Sequence, residues 1–176
     1  MRNNENYITV KLTKHIQEKI AGFDCGNNYL SSFILCHDAI DSSFGTTYVW
    51  LTDNDNVIGY YNISTGHVET ISNNLTIHLG GSVYINCFAV DKEYQKSKYD
   101  EMAYVSDILL ADCFERINYI RDNYIGFSFV TLSSTSEGHY LYERNGFSEI
   151  DEDNMKIAAN KGEKTCTSMY FPLDYE

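Results

Sequence analysis

Residues 82–90, S-V-Y-I-N-C-F-A-V, constrain the fold more than any other stretch. They carry no charge, are rich in β-branched and aromatic side chains, and form the longest strand candidate in the chain, ended by Asp91. A polar loop, K-E-Y-Q-K-S-K-Y-D-E-M, follows. Val105, Ile108, Leu109, Cys113, Ile117 and Ile120 then recur at helical spacing and predict a long helix. A strand that ends in a loop and leads into a helix offers backbone N–H groups and the positive end of a helix dipole, which together suit a pyrophosphate.

The remaining segments place this unit in a mixed order. Residues 8–12, I-T-V-K-L, alternate as a half-buried strand. Phe23-Asp24-Cys25-Gly26-Asn27-Asn28 reads as a turn, with Asn28 as a helix cap and an amphipathic helix over 29–40. Runs 48–52 and 57–64 flank Asp53-Asn54-Asp55-Asn56 as a hairpin, and 75–79 with Gly80-Gly81 precede the long strand. After the long helix, 127–132 predicts a strand. Ser134 and Glu137 predict a capping box for a short helix through Arg144, stopped by Asn145-Gly146. Runs 147–150 and 168–173 predict closing strands around a loop over 151–164. This is a mixed α/β order, unlike regular doubly wound βαβ.

The length of 176 residues is that of one domain able to bury its own core, and nothing marks a boundary within 1–176. No apolar run approaches the ~20 residues of a membrane span, and the amino terminus has no apolar signal core, so a soluble cytoplasmic protein is expected. Five scattered cysteines lack C-x-x-C or Cys/His ligand spacing, so reduced thiols and no metal are expected. The sequons at Asn62 and Asn74 read as incidental without a secretion signal. A net charge of −12 disfavours nucleic acid and favours a cationic substrate or partner.

Phe88-Ala89-Val90-Asp91-Lys92-Glu93-Tyr94-Gln95 resembles the central strand and pyrophosphate-loop opening of the GNAT superfamily of acyl-CoA N-acyltransferases. Leu141-Tyr142-Glu143-Arg144-Asn145-Gly146-Phe147 resembles that family's L/F-Y-x-x-x-G-F segment. Phe23-Asp24-Cys25-Gly26-Asn27 with the following helix is similar to the amino-terminal part of GNAT toxins that acetylate aminoacyl-tRNA and of their relatives. The resemblance spans roughly residues 8–173. It implies a mostly antiparallel, splayed central sheet flanked by helices, acetyl-CoA as co-substrate, an amine acceptor, and often a homodimer. It assigns the backbone of Phe88, Ala89 and Val90 to the pantetheine, Gln95, Tyr104, Val105, Ser106 and Asp107 to the cofactor's phosphates, and Tyr142 as the general acid. The loop departs from the family in lacking its glycines: Tyr104 and Ser106 stand where glycines are expected, and Asp100 and Glu101 add negative charge beside Lys96 and Lys98.

Acyl transfer to an amine needs a neutral nucleophile, a polarised thioester carbonyl and a proton for the departing thiolate. N–H groups near Ala89 and Val90 are the candidates for polarising the carbonyl. Asp24, Glu69 and His67 are candidate bases, each also readable as an ordinary surface or turn residue. Cys87 reads as a small buried hydrophobe before it reads as a nucleophile. Cys36 and His37 are adjacent, and adjacent helical residues point about 100° apart, which argues against a dyad. The acidic run 151–153 reads as a solvated loop before it reads as a cation trap. Two functions remain open: an N-acetyltransferase of aminoacyl-tRNA, small amines or protein amines, and a non-catalytic GNAT-fold interaction protein.

Overall fold

Apolar alternation and turn chemistry decide where the elements begin and end. The structure is a computed structural model that describes residues 7–20, 22–72, 75–151, 155–158 and 166–173. The chain opens with β1 (Val10–Lys11), α1 (Lys14–Gln17) and α2 (Asn28–Phe33), then runs through two 3₁₀ turns into β2 (Thr46–Leu51). Two long strands follow, β3 (Val57–Ser72) and β4 (Leu75–Val90), and then α3 (Val105–Asn123). β5 (Phe129–Ser134), α4 (His139–Arg144), β6 (Ser148–Glu149), β7 (Met155–Ala158) and β8 (Thr167–Pro172) complete the chain. The hydrogen-bonded order is β1-β2-β3-β4-β5-β8-β6, with β7 also on β3. β4 and β5 are parallel, while β1–β2, β2–β3, β3–β7, β5–β8 and β6–β8 are antiparallel. This is the mixed, largely antiparallel α/β architecture expected from the sequence.

The chain divides into two compact units, Met1–Ile63 with Cys87–Tyr119 and Ser64–Asn86 with Ile120–Glu176. Each draws on separate stretches, so no shift of composition along the sequence could mark them. The first unit has a core of Phe23, Phe33, Ile34, Val49, Tyr60 and Cys87. Phe33 stacks on Tyr60 at 6.1 Å and Phe23 meets it edge-on at 5.4 Å, each pair worth about 0.5–1.5 kcal/mol beyond the area it buries. Tyr60 keeps its polar tip satisfied by donating to the Leu30 carbonyl at 2.6 Å.

Beside that core lies a buried polar network. The Asp112 carboxylate accepts from Ile8 N–H (2.9 Å), the Thr9 hydroxyl (2.6 Å) and the Tyr61 hydroxyl (2.7 Å). Arg116 donates Nε to Tyr61 Oη at 2.9 Å and Nη2 to Thr9 at 3.1 Å. Its guanidinium lies 3.9 Å from the centroids of both Tyr7 and Tyr48. Hydroxyls bridge the two buried charges and aromatic faces cover the cation, which offsets part of the cost of desolvating them.

Several boundaries differ from the sequence expectation. Asn27, one residue before the expected cap, adopts extended backbone and accepts from Leu30 N–H, so α2 starts at Asn28. α2 stops at Phe33, where the Gln17 side chain takes the carbonyls of Ile34 and Cys36, and a 3₁₀ turn at His37–Ala39 covers the rest of the expected helix. β4 is continuous through Gly80-Gly81. The Ser134–Glu137 capping box does not form: Ser134 ends β5, its hydroxyl donates to the Thr135 carbonyl, and Thr135 Oγ1 accepts from Gly138 N–H before α4 begins. The stretch expected as a loop holds β7, paired with β3 from Thr70↔Met155 to His67↔Ala158. Asp151 of the acidic run is exposed, and its other two residues, 152 and 153, lie outside the described residues.

Candidate functional site

In the first unit the candidate site is the end of β4, the loop after it and the start of α3. Ala89 and Val90 are buried and Phe88 half-buried. β3 approaches closely here because residue 59 is glycine: a Cβ there would stand 2.8 Å from both the Ala89 carbonyl and a Leu109 methyl.

Asp91 organises the turn out of the strand. Its N–H donates to the Ile58 carbonyl, its own carbonyl accepts from Tyr94 and Gln95, and its carboxylate accepts from Glu93 and Asp24 N–H. The Phe23–Asn27 turn docks onto this loop. Lys92 N–H donates to the Asp24 carbonyl at 2.9 Å, and Lys92 Nζ pairs with the Asp24 carboxylate at 2.7 Å. Gly26, at φ +89°, lets the chain reverse within the turn. The Gln95 amide donates to the Cys25 carbonyl at 2.7 Å and the Val90 carbonyl at 3.0 Å. Gln95 is therefore a brace between strand end and turn.

The second half of the loop satisfies its own amides with carboxylates. Asp100 Oδ1 accepts from Met102 N–H (2.7 Å) and Ala103 N–H (2.8 Å), and Asp107 Oδ2 accepts from Tyr104 N–H at 3.2 Å. Tyr99 N–H donates to the Ala103 carbonyl and Val105 N–H to the Ser97 carbonyl. Tyr104 is 40% exposed, Val105 is buried, and Ser106 and Asp107 are half-buried. Tyr104 to Asp107 thus form the amino end of a 19-residue helix, whose dipole favours an anion. The sequence reading named Asp100 only as added charge and Asp107 only as a phosphate-site residue; what it missed is that both carboxylates take the loop's amides. Both stand two or three residues before the N–H groups they take or just inside the helix, where Asp is a common cap.

The electrostatics narrow the choice of base. The Lys92 ammonium, then Gly26 N–H, hold the Asp24 carboxyl below the usual carboxylate range. A base effective near neutrality needs the opposite shift, so Asp24 is not tuned for that role. Burial pushes the Cys87 thiol up to about 12, consistent with a packing residue and not with a nucleophilic thiolate. Cys36 and His37 are both exposed, and His37 lies 4.0 Å from Asp41.

In the second unit, Tyr142 is buried in α4. Gly146, at φ +90°, follows the cap residue Asn145; Gly146 N–H donates to the Glu143 carbonyl and Phe147 N–H to the Tyr142 carbonyl at 3.1 Å. That is a Schellman stop, in which the residue after the glycine packs on the one that accepts its N–H. Phe147 does so, edge-on to Tyr142 at 5.6 Å. The spacing from Tyr142 to Gly146-Phe147 is accordingly the spacing of a helix terminus, whatever else the hydroxyl does. His67 and Glu69 also belong to the second unit, with His67 Nε2 3.2 Å from Glu69 Oε1.

No protein-family model matches the sequence, and no curated sequence is significantly similar to it. Solved structures do align over nearly the whole chain. AtaTR bound with acetyl-CoA aligns at a TM-score of 0.70 and 18% identity, over 93% of this chain and 92% of that one. A tyrosine-to-phenylalanine mutant of KacT aligns at 0.66 and 17%, over 93% of each chain. A structure described as a bacterial toxin aligns at 0.64 and 19%, over 93% of this chain and 89% of that one.

Proposed function

We propose that this chain, which has the GNAT fold, is an acetyl-CoA-dependent N-acetyltransferase that acts on a primary amine. The observation that carries this reading is the braced strand–loop–helix of the first unit. Asp91, Gln95 and the Phe23–Asn27 turn fix the backbone that a pantetheine and pyrophosphate would need. The acetyl-CoA in the AtaTR structure supports the choice of co-substrate.

The roles follow from the resemblance. The backbone of Phe88, Ala89 and Val90 holds the pantetheine and polarises the thioester. Gln95 and Tyr104 to Asp107 receive the phosphates, and the Gln95 amide, by its hydrogen bonds, also braces the loop. Tyr142 protonates the leaving CoA thiolate, and solvent water takes the proton of the amine. The net charge of −12 favours a small cationic amine or a protein lysine over aminoacyl-tRNA. A homodimer follows from the resemblance alone and is checked by light scattering.

A second reading, a non-catalytic GNAT-fold interaction protein, is favoured by one observation. The amides of Met102, Ala103 and Tyr104 already carry carboxylates from Asp100 and Asp107. Calorimetric titration with acetyl-CoA separates the two. Saturable micromolar binding supports the enzyme, and no binding at millimolar acetyl-CoA supports the interaction protein. If it binds, Tyr142→Phe is expected to keep the affinity and lower the rate of CoA release by roughly 10²–10⁴-fold, as removal of a general acid does. An unchanged rate removes Tyr142 from the mechanism. Acceptors are then ranked by mass spectrometry of polyamine, peptide and aminoacyl-tRNA mixtures.

A further inference from the structure

Among the described residues, three side chains able to ligate a metal converge in the second unit. His67, Glu69 and His78 each offer one ligand atom, and the three atoms lie within 4.8 Å of one another. The His67 and His78 rings are 5.4 Å apart between centroids, inclined at 48°. Strand geometry explains the meeting. Side chains two apart on β3 share a face, and β4 is the hydrogen-bonded neighbour that brings His78 to them.

The donor set is chemically selective. Two imidazoles and a carboxylate suit zinc and the late divalent first-row ions, and leave at least one coordination position open. Calcium and magnesium prefer sets made of oxygen alone. With bonds of about 2.0–2.2 Å, ligand atoms on tetrahedral zinc stand roughly 3.3–3.6 Å apart. The set therefore closes by about an ångström, which rotation of these partly exposed side chains supplies.

We propose that His67, Glu69 and His78 form a binding site for zinc or a chemically similar divalent transition ion, which ties β3 to β4. Lys156 stands opposite Glu69 in the register of β3 with the neighbouring β7. The metal and a proton compete for the same lone pairs, so a loaded site takes His67 and Glu69 out of contention as the general base. The sequence conceals the site because its ligands come from two strands rather than from a short local spacing.

The test uses the full chain, stripped with a chelator and titrated with Zn²⁺ by calorimetry and with Co²⁺ by visible absorption. About one equivalent of zinc is expected, with each of His67→Gln and His78→Gln weakening binding tenfold or more. Cys36→Ser is expected to leave binding unchanged. Zinc is also expected to raise the melting temperature of the parent chain but not of His78→Gln. His78 is exposed, so its variant should fold as the parent does, which circular dichroism of the metal-free proteins checks. Absence of saturable zinc binding, binding that survives His78→Gln, or a cobalt–thiolate charge-transfer band each overturns the site. None of these readouts depends on acetyl transfer.

Discussion

Asp112 and Arg116 show what a single residue can conceal. They are four apart on α3, a spacing that reads as an exposed helical ion pair, yet both are buried. What covers them is Tyr7, Ile8 and Thr9, whose proximity no local periodicity announces. Replacing Asp112 by Ala leaves Arg116 without its bridged countercharge, Ile8 N–H without its acceptor, and the Thr9 and Tyr61 hydroxyls with only each other to donate to. We expect a loss of about 3–5 kcal/mol, read from the midpoint of urea unfolding. Tyr142 shows the converse. Its motif was legible from the sequence, but the helix stop by itself accounts for the spacing of the glycine and the phenylalanine, so only a rate measurement can assign the hydroxyl a role.

At the scale of elements, the sequence located the first half of β3, both pieces of β4, α3 and the closing strands, because sustained apolar runs leave few alternatives; it missed residues 65–72 of β3, where Gly66, His67 and Glu69 break the run, and the join of β4 through Gly80-Gly81. It lost the end of α2 and the start of α4, where a side chain such as Gln17 or Thr135 decides the boundary, while the stop of α4 at Asn145-Gly146 falls where expected. Gly146 has no such freedom. Its φ of +90° and the 3.1 Å that a Cβ would stand from the Phe171 ring predict that Gly146→Ala costs more than about 1 kcal/mol, visible as a lowered melting temperature. The loop before α3 yields a prediction of opposite sign. Asp100→Asn removes a negative charge beside the proposed phosphate site. On the proposed function it should tighten acetyl-CoA binding roughly two- to fivefold by calorimetry, the magnitude of a charge at a helix amino end.

For the molecule as a whole, the acidic balance governs the response to pH and ligand. Asp24, Asp41, Asp100 and Glu137 are all held below their ordinary values, chiefly by the Lys92 ammonium for Asp24 and by backbone N–H groups for the others. Groups lowered in this way contribute stability that is present above the unfolded carboxylate pKa of ~4 and is lost as pH falls through their folded values. Asp24, Asp100 and Glu137 are exposed and Asp41 is partly exposed, so the loss should be shallow; circular dichroism against pH is expected to decline gradually below about pH 4. On the proposed function, acetyl-CoA at about a hundred times its Kd adds ~2.7 kcal/mol and raises the melting temperature by roughly 5–10 °C. The two units have a consequence for descent as well. Their boundaries fall after Ile63, Asn86 and Tyr119, so exchanging one unit between two related genes takes three crossovers. A single recombination event always leaves at least one unit of mixed parentage, so a chimera keeps both units intact only when the whole chain comes from one parent or all three boundaries are crossed.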